Sequence, residues 1–135
     1  MIGILIIAHE TFGDSLIACA SHMLSTKPEQ LEALSVKGDE DPEEMLKEAQ
    51  AIANKINTGS GVLVLSDMVG GTPCNIATKL VGISNAEGLS GLNLPMLIVA
   101  LSNRERPMAY CLEKTIASGR ESIIHFTEIG NVQHD

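Results

Sequence analysis

Ile2-Gly3-Ile4-Leu5-Ile6-Ile7-Ala8 is an unbroken apolar run that ends in His9 and passes at once into polar, turn-forming residues. A run this short, rich in β-branched side chains and closed by a turn, reads as a strand buried on both faces. Val62-Leu63-Val64-Leu65-Ser66 repeats the pattern, ends in Asp67 and leads into Gly70-Gly71-Thr72-Pro73. In an open parallel sheet, ligands and chemistry collect at the carboxyl ends of central strands. A histidine and a carboxylate at two such ends, beside a glycine-rich helix start, form the constellation from which a function can be argued.

Outward from these two strands the chain alternates strand and helix. A helix is predicted from about Asp14, with Leu16, Ile17, Ala20, Met23 and Leu24 at helical spacing. Residues 31–36 form a short strand. Asp41 can then cap a second helix, with Pro42 at its first position and Glu44 where a capping-box acid would stand. Met45, Leu46, Ala49, Ile52, Ala53 and Ile56 give that helix one apolar stripe. The third helix is expected to begin at Pro73 with Thr72 as its cap. Residues 89–92 read as a weak, glycine-containing strand. Asn93-Leu94-Pro95 opens a helix to about Ser102, which Arg104-Glu105-Arg106-Pro107 breaks. Residues 108–118 form the last helix, stopped by Gly119, and Ile123-Ile124-His125-Phe126 reads as a final strand. The expected fold is α/β: a three-layer open, mostly parallel sheet with helices on both faces. One domain over residues 1–135 is expected, with a tail that frays from about residue 130.

Composition agrees with that class. The 135 residues include no Trp, one Tyr and two Phe, so an aliphatic core must hold the sheet between its helices. A net charge of −8 leaves no basic excess to neutralise phosphates, which argues against nucleic acid and against an anionic membrane surface. It favours a partner with a basic face. Cys19, Cys74 and Cys111 are odd in number and lack metal-type spacing. The apolar start has no basic leader and is too short for a signal core, and no run is long enough to span a bilayer. A reduced, cytoplasmic protein is expected.

The chemistry centres on His9. A carboxylate accepting from one imidazole nitrogen fixes the tautomer and leaves the other nitrogen as a nucleophile. Asp67 fits that orienting role, and equally fits an ordinary helix cap or turn residue. Gly70-Gly71-Thr72-Pro73 is not a nucleotide P-loop, since no Gly-Lys-Ser/Thr follows. It reads either as a plain glycine turn or as an anion seat, in which flexible glycines expose N–H groups, a helix start adds positive potential and the Thr72 hydroxyl donates. Cys74 beside this turn could pair with His9 as a nucleophilic dyad, although small buried cysteines are far commoner. Arg104 and Arg106 are either loop charges or groups that approach a bound phosphoryl. His22, His125 and His134 show no metal spacing, and the acids from Asp39 to Glu44 suit a solvated helix start.

Taken in order, residues 4–9, Gly61 to Asp67, Gly70-Gly71-Thr72-Pro73-Cys74-Asn75 and Gly91-Leu92-Asn93-Leu94-Pro95-Met96-Leu97 give the chain its resemblance. It resembles the IIA component of the mannose-type phosphoenolpyruvate-dependent sugar phosphotransferase system over nearly its whole length. The resemblance implies that His9 accepts a phosphoryl group from the phosphocarrier HPr and passes it to a IIB protein or domain. It implies that Asp67 hydrogen-bonds the non-reacting ring nitrogen, and that Thr72, with the backbone N–H groups around Gly70 and Gly71, contacts the phosphoryl oxygens. It implies no metal or organic cofactor, and a homodimer that exchanges its last strand, here residues 123–126. Glu10 stands where glycine often follows the active histidine, and Val69 where some members carry an aromatic. The chain ends without a linker, so a stand-alone IIA polypeptide is expected. The phosphocarrier subunit of dihydroxyacetone kinase shares the fold and acceptor position, but Gly-Gly-Thr-Pro favours the sugar-transport branch. A receiver-type signalling domain would use Asp67 as acceptor and needs paired acids after the first strand, which His9-Glu10 does not supply. A Cys74-His9 hydrolase is the remaining class.

Overall fold

The computed structural model of the chain describes residues 1–127. Its elements are β1 (Gly3–His9), α1 (Phe12–Leu24), β2 (Leu31–Val36), α2 (Pro42–Ile56), β3 (Val62–Ser66), α3 (Thr72–Ile83), β4 (Ala86–Leu89), α4 (Leu94–Ser102) and α5 (Met108–Glu121). The four strands lie in the order β2-β1-β3-β4 and every pairing is parallel. The two apolar runs that decide the fold are therefore the two central strands.

Side chains alternate across this sheet and are apolar on both faces. Ile4, Ile6, Ala8, Leu63 and Leu65 pack with Ala20 of α1, with Met96, Leu97 and Ala100 of α4 and with Cys111 of α5. Leu5, Ile7, Val62 and Val64 pack with Met45, Ala49 and Ala53 of α2 and with Ile76, Ala77 and Leu80 of α3. The molecule thus has three layers, with β1 and β3 sealed between two cores. Among the described residues no helix is long and apolar enough to cross a membrane.

Helix starts follow the sequence closely. The Asp41 side chain accepts from the Glu43 N–H, and the Asn93 side chain accepts from the Met96 N–H. Each is followed by proline in the first two helical positions, where a missing N–H is harmless. Glu44 does not close a capping box; its carboxylate lies 3.4 Å from Lys47 Nζ on the exposed face.

The expected boundaries change where packing, not local propensity, decides. Gly119 does not stop α5, which continues to Glu121. A Cβ at this glycine would stand 2.7 Å from Met96 Cγ, so the residue serves close approach of α5 to α4 rather than termination. The fourth strand lies at Ala86–Leu89 rather than residues 89–92, because Gly91 takes a φ of +80° and turns the chain out of the ladder. Residues 123–125 form no strand, and Ile123 and Phe126 are 84% and 85% exposed. An apolar segment with no ladder to join within the described chain has no means of pairing its backbone, and it stays outside the sheet. The tail from about residue 130, with His134, lies outside the described residues.

Arg104 is not a phosphoryl ligand. It is buried at the amino ends of the strands, where Nε donates to the Ile2 carbonyl (2.9 Å), Nη1 to that of Glu29 (2.6 Å) and Nη2 to that of Gln30 (2.7 Å). Arg106 lies with its guanidinium carbon 4.0 Å from the Tyr110 ring centroid, a cation–π contact. Arg104→Ala removes three hydrogen bonds to carbonyls at once, although the Gln30 carbonyl keeps that from the Ile4 N–H. It is expected to lower stability by about 2–4 kcal/mol in urea unfolding, while leaving the environment of His9, at the opposite end of the sheet, unchanged in NMR spectra.

Candidate functional site

His9 is the last residue of β1, and Asp67 follows the last residue of β3. Parallel register places Ile7 opposite Ser66, so both chains leave the sheet at the same edge and level. Asp67 Oδ2 accepts twice from His9: from its backbone N–H at 3.0 Å and from ring Nδ1 at 2.7 Å. The other carboxylate oxygen accepts from the Met68 N–H at 3.0 Å. The Asp67 side chain is 14% exposed and that of His9 45%, so the orienting group is covered while the ring reaches solvent.

Partial burial by itself raises the Asp67 carboxyl. The hydrogen bonds from the His9 N–H and ring, the attraction to the imidazole and the Met68 N–H outweigh it, and the pKa falls below the ordinary carboxylate value. An ionised carboxylate can only accept, so Nδ1 carries the proton of the neutral ring and Nε2 carries its lone pair.

Nε2 faces the start of α3. A Cβ placed on Gly71 would stand 2.8 Å from His9 Cε1 and 3.1 Å from Nε2, so the ring lies directly against this backbone. Gly71 is the N-cap of α3, and the first helical bond runs from the Asn75 N–H to its carbonyl at 3.0 Å. The helix start therefore leaves the N–H groups of Thr72 and Cys74 without intrahelical acceptors, Pro73 having none to offer. These groups and the helix dipole favour an anion at the position that Nε2 addresses. Thr72 is the first helical residue and not the cap; its hydroxyl makes no hydrogen bond among the described residues. The two glycines differ in kind. Gly70 has a φ of +96°, whereas Gly71 has an ordinary φ of −107° and is needed for its missing side chain.

Cys74 makes no hydrogen bond to His9. It lines a 310 Å³ cavity with Ser66, Thr78 and Leu89. With Nδ1 committed to Asp67 and Nε2 lying against Gly71, the imidazole is not arranged as a base for this thiol. Among the described residues no group of three or more His, Cys, Asp or Glu side chains could hold a metal ion.

The family described as "EIIA-man: PTS system fructose IIA component" matches residues 3–116. The chain belongs to this family. It is similar to the PTS system mannose-specific EIIAB component of Escherichia coli (strain K12), with 29% identity over 125 residues. That similarity covers 90% of this chain and 38% of the relative, so the chain spans 38% of the length of that protein. Among solved structures, the phosphotransferase system component EIIA from Streptococcus agalactiae superposes with a TM-score of 0.84 at 28% identity, covering 95% of this chain and 99% of that one. The mannose/sorbose specific IIA subunit from Enterococcus faecalis, at 21% identity, shares the fold with a TM-score of 0.80 over 92% of this chain and 93% of its own.

Glu10 directly follows His9, and Val69 directly precedes Gly70. Val69 is 71% exposed beside Gly70. Glu10, directly after His9, adopts a φ of +50°, the left-handed region that glycine enters freely and other residues rarely do. That backbone shape explains why a glycine suits the position. What sequence reasoning missed is the contact between Gly71 and the ring; the doubled glycine was its signal, but flexibility was the wrong property to read from the second one.

Gly71→Ala is expected to keep the fold and push the ring away from α3, lengthening the Nδ1–Oδ2 bond. The check is the His9 ring nitrogen shifts in NMR, which should lose the fixed tautomer. For Asp67 the sign follows from its lowered pKa. Its stabilisation is full above the ordinary carboxyl range and is lost as pH falls through the lower folded value. Asp67→Asn should therefore unfold at lower urea than the parent near pH 7, with the gap closing as pH falls below the ordinary carboxylate range.

Proposed function

We propose that this chain is a phosphocarrier of the sugar phosphotransferase system, in which His9 Nε2 accepts a phosphoryl group from phospho-HPr and hands it to a IIB component. The observation that carries this is the 2.7 Å bond between Nδ1 and an ionised Asp67, which leaves Nε2 with a lone pair against the amino end of α3. The family supplies the context, since phosphotransferase IIA components act between HPr and IIB partners.

The step balances without a metal. The donor's N–P bond breaks and its ring departs as a neutral imidazole, keeping the proton on its other nitrogen. An N–P bond forms at His9 Nε2, and the proton on Nδ1 stays in the bond to Asp67. The carboxylate offsets the positive charge that the ring acquires. Phosphoryl transfer spreads negative charge over the equatorial oxygens, so positioned donors supply most of the stabilisation. Here these are the N–H groups of the Gly70-Gly71-Thr72 turn and the start of α3, with the Thr72 hydroxyl. The protein has no free small-molecule substrate; it is a relay. The same reading makes it cytoplasmic and supports a homodimer in which residues 123–126 pair with the partner's β4, because β4 ends the sheet and Ile123 and Phe126 are exposed. A receiver-type reading fares worse, because both oxygens of Asp67 are already engaged by His9 and Met68.

Intact mass after incubation with phosphoenolpyruvate, enzyme I and HPr is the test. One phosphoryl adduct is expected, labile in acid, stable in base and absent from His9→Ala. No adduct, or one that persists in His9→Ala, overturns the assignment.

A further inference from the structure

We propose that Glu10 sets the transfer potential of the phosphorylated site: its carboxylate repels the phosphoryl group on His9 and shifts the equilibrium toward release. The inference rests on the relay reading above, and concerns how tightly the relay holds its group rather than whether it is one.

The backbone of Glu10 is anchored directly after His9. Its N–H donates to the Val36 carbonyl at 3.0 Å, extending the β1–β2 ladder one residue beyond His9. The φ of +50° is a conformation that glutamate adopts only when its surroundings impose it. The backbone of Glu10 is therefore held at the edge of the sheet, one residue from the reacting histidine.

The charge is also uncompensated. Among the described residues the Glu10 carboxylate forms no ion pair and no hydrogen bond. No Lys or Arg side chain contacts His9 or Asp67. Arg104 is committed to the opposite end of the sheet, and Arg106 lies against Tyr110. Lys37, one residue past the end of β2, shares its loop with Asp39, Glu40 and Asp41. The anion seat thus holds no formal positive charge, only N–H dipoles and the Thr72 hydroxyl, and Asp67 already places one carboxylate on the ring.

Phosphorylation adds between one and two further negative charges. The repulsion with Glu10 exists only in that state, so it acts on the transfer equilibrium and not on the fold. At an exposed rim, water and salt reduce it to an effect of roughly five- to tenfold at low ionic strength. Because the equilibrium constant compares only the separated proteins, a change in it cannot arise from docking.

Two variants separate charge from backbone shape: Glu10→Gln removes the charge alone, and Glu10→Gly removes charge and strained conformation together. Each would be mixed with HPr at a fixed ratio of phosphorylated to free donor, and the phosphorylated fraction read by intact mass at equilibrium. Both variants are expected to raise the equilibrium constant roughly five- to tenfold at about 20 mM salt, falling toward parity at about 1 M. A constant within twofold of the parent for Glu10→Gln at low salt overturns the inference, as does a shift that salt leaves undiminished. Failure of the parent itself to take up a phosphoryl group is a separate result; it removes the relay reading, and this inference with it.

Discussion

The two hydrogen bonds that Asp67 Oδ2 accepts from His9, one from the backbone and one from the ring, depend on β1 and β3 running side by side in parallel. In an antiparallel pair these residues would lie at opposite ends of the sheet. Both faces of the two strands are apolar, so alternation of polar and apolar side chains cannot by itself fix their register. The ends do so instead. At the amino end the Gly3 N–H donates to the Gly61 carbonyl and Arg104 draws Ile2, Glu29 and Gln30 together. At the carboxyl end the His9–Asp67 pair closes the ladder. The site is thus one of the two clasps of the central strands, and its geometry is as fixed as the sheet itself.

The same position bears on the proposed anion seat of an acidic chain. With a net charge of −8 and no Lys or Arg touching the ring, attraction must come from dipoles. Pro73 sharpens the helix start: it removes one N–H that would need an acceptor, and those of Thr72 and Cys74 have no acceptor within the helix. Gly71 lets the ring come close enough to use them. A basic partner surface meeting the acidic rim would then add charge from outside the molecule, only while the two are together.

Much of this was legible in the sequence because local chemistry wrote it. The bounds of β3 follow from an apolar run cut short by turns, and the starts of α2 and α4 from Asp41-Pro42 and from Asn93 two residues ahead of Pro95. The convergence of His9 and Asp67 followed from a general rule about parallel sheets. What escaped depends on approach between distant segments. Gly119 reads locally as a stop, yet it lies inside a helix because Met96 needs the space. Arg104 reads as a loop charge, yet three carbonyls from two separate segments bury it. Residues 123–126 carry a strand pattern, but pattern alone supplies no ladder within the described chain. At the site, Thr72 was displaced by one position from the cap because Gly71 already has the extended backbone that a cap requires.

A relay differs from an enzyme that keeps its transition state and ground states far apart in energy. For a protein that must both take and give a phosphoryl group, a seat that binds too well is as much a defect as one that binds too weakly. On the proposed relay reading, Asp67 and the start of α3 would stabilise the phosphorylated ring, and an unpaired carboxylate one residue away would oppose them. Glycine after the histidine would give the same backbone turn without the charge, so Glu10 brings to this chain a repulsion that its fold does not require. Such a residue is tolerated on conformational grounds only with strain, and that makes its effect on the bound group, rather than on folding, the property by which it is best understood.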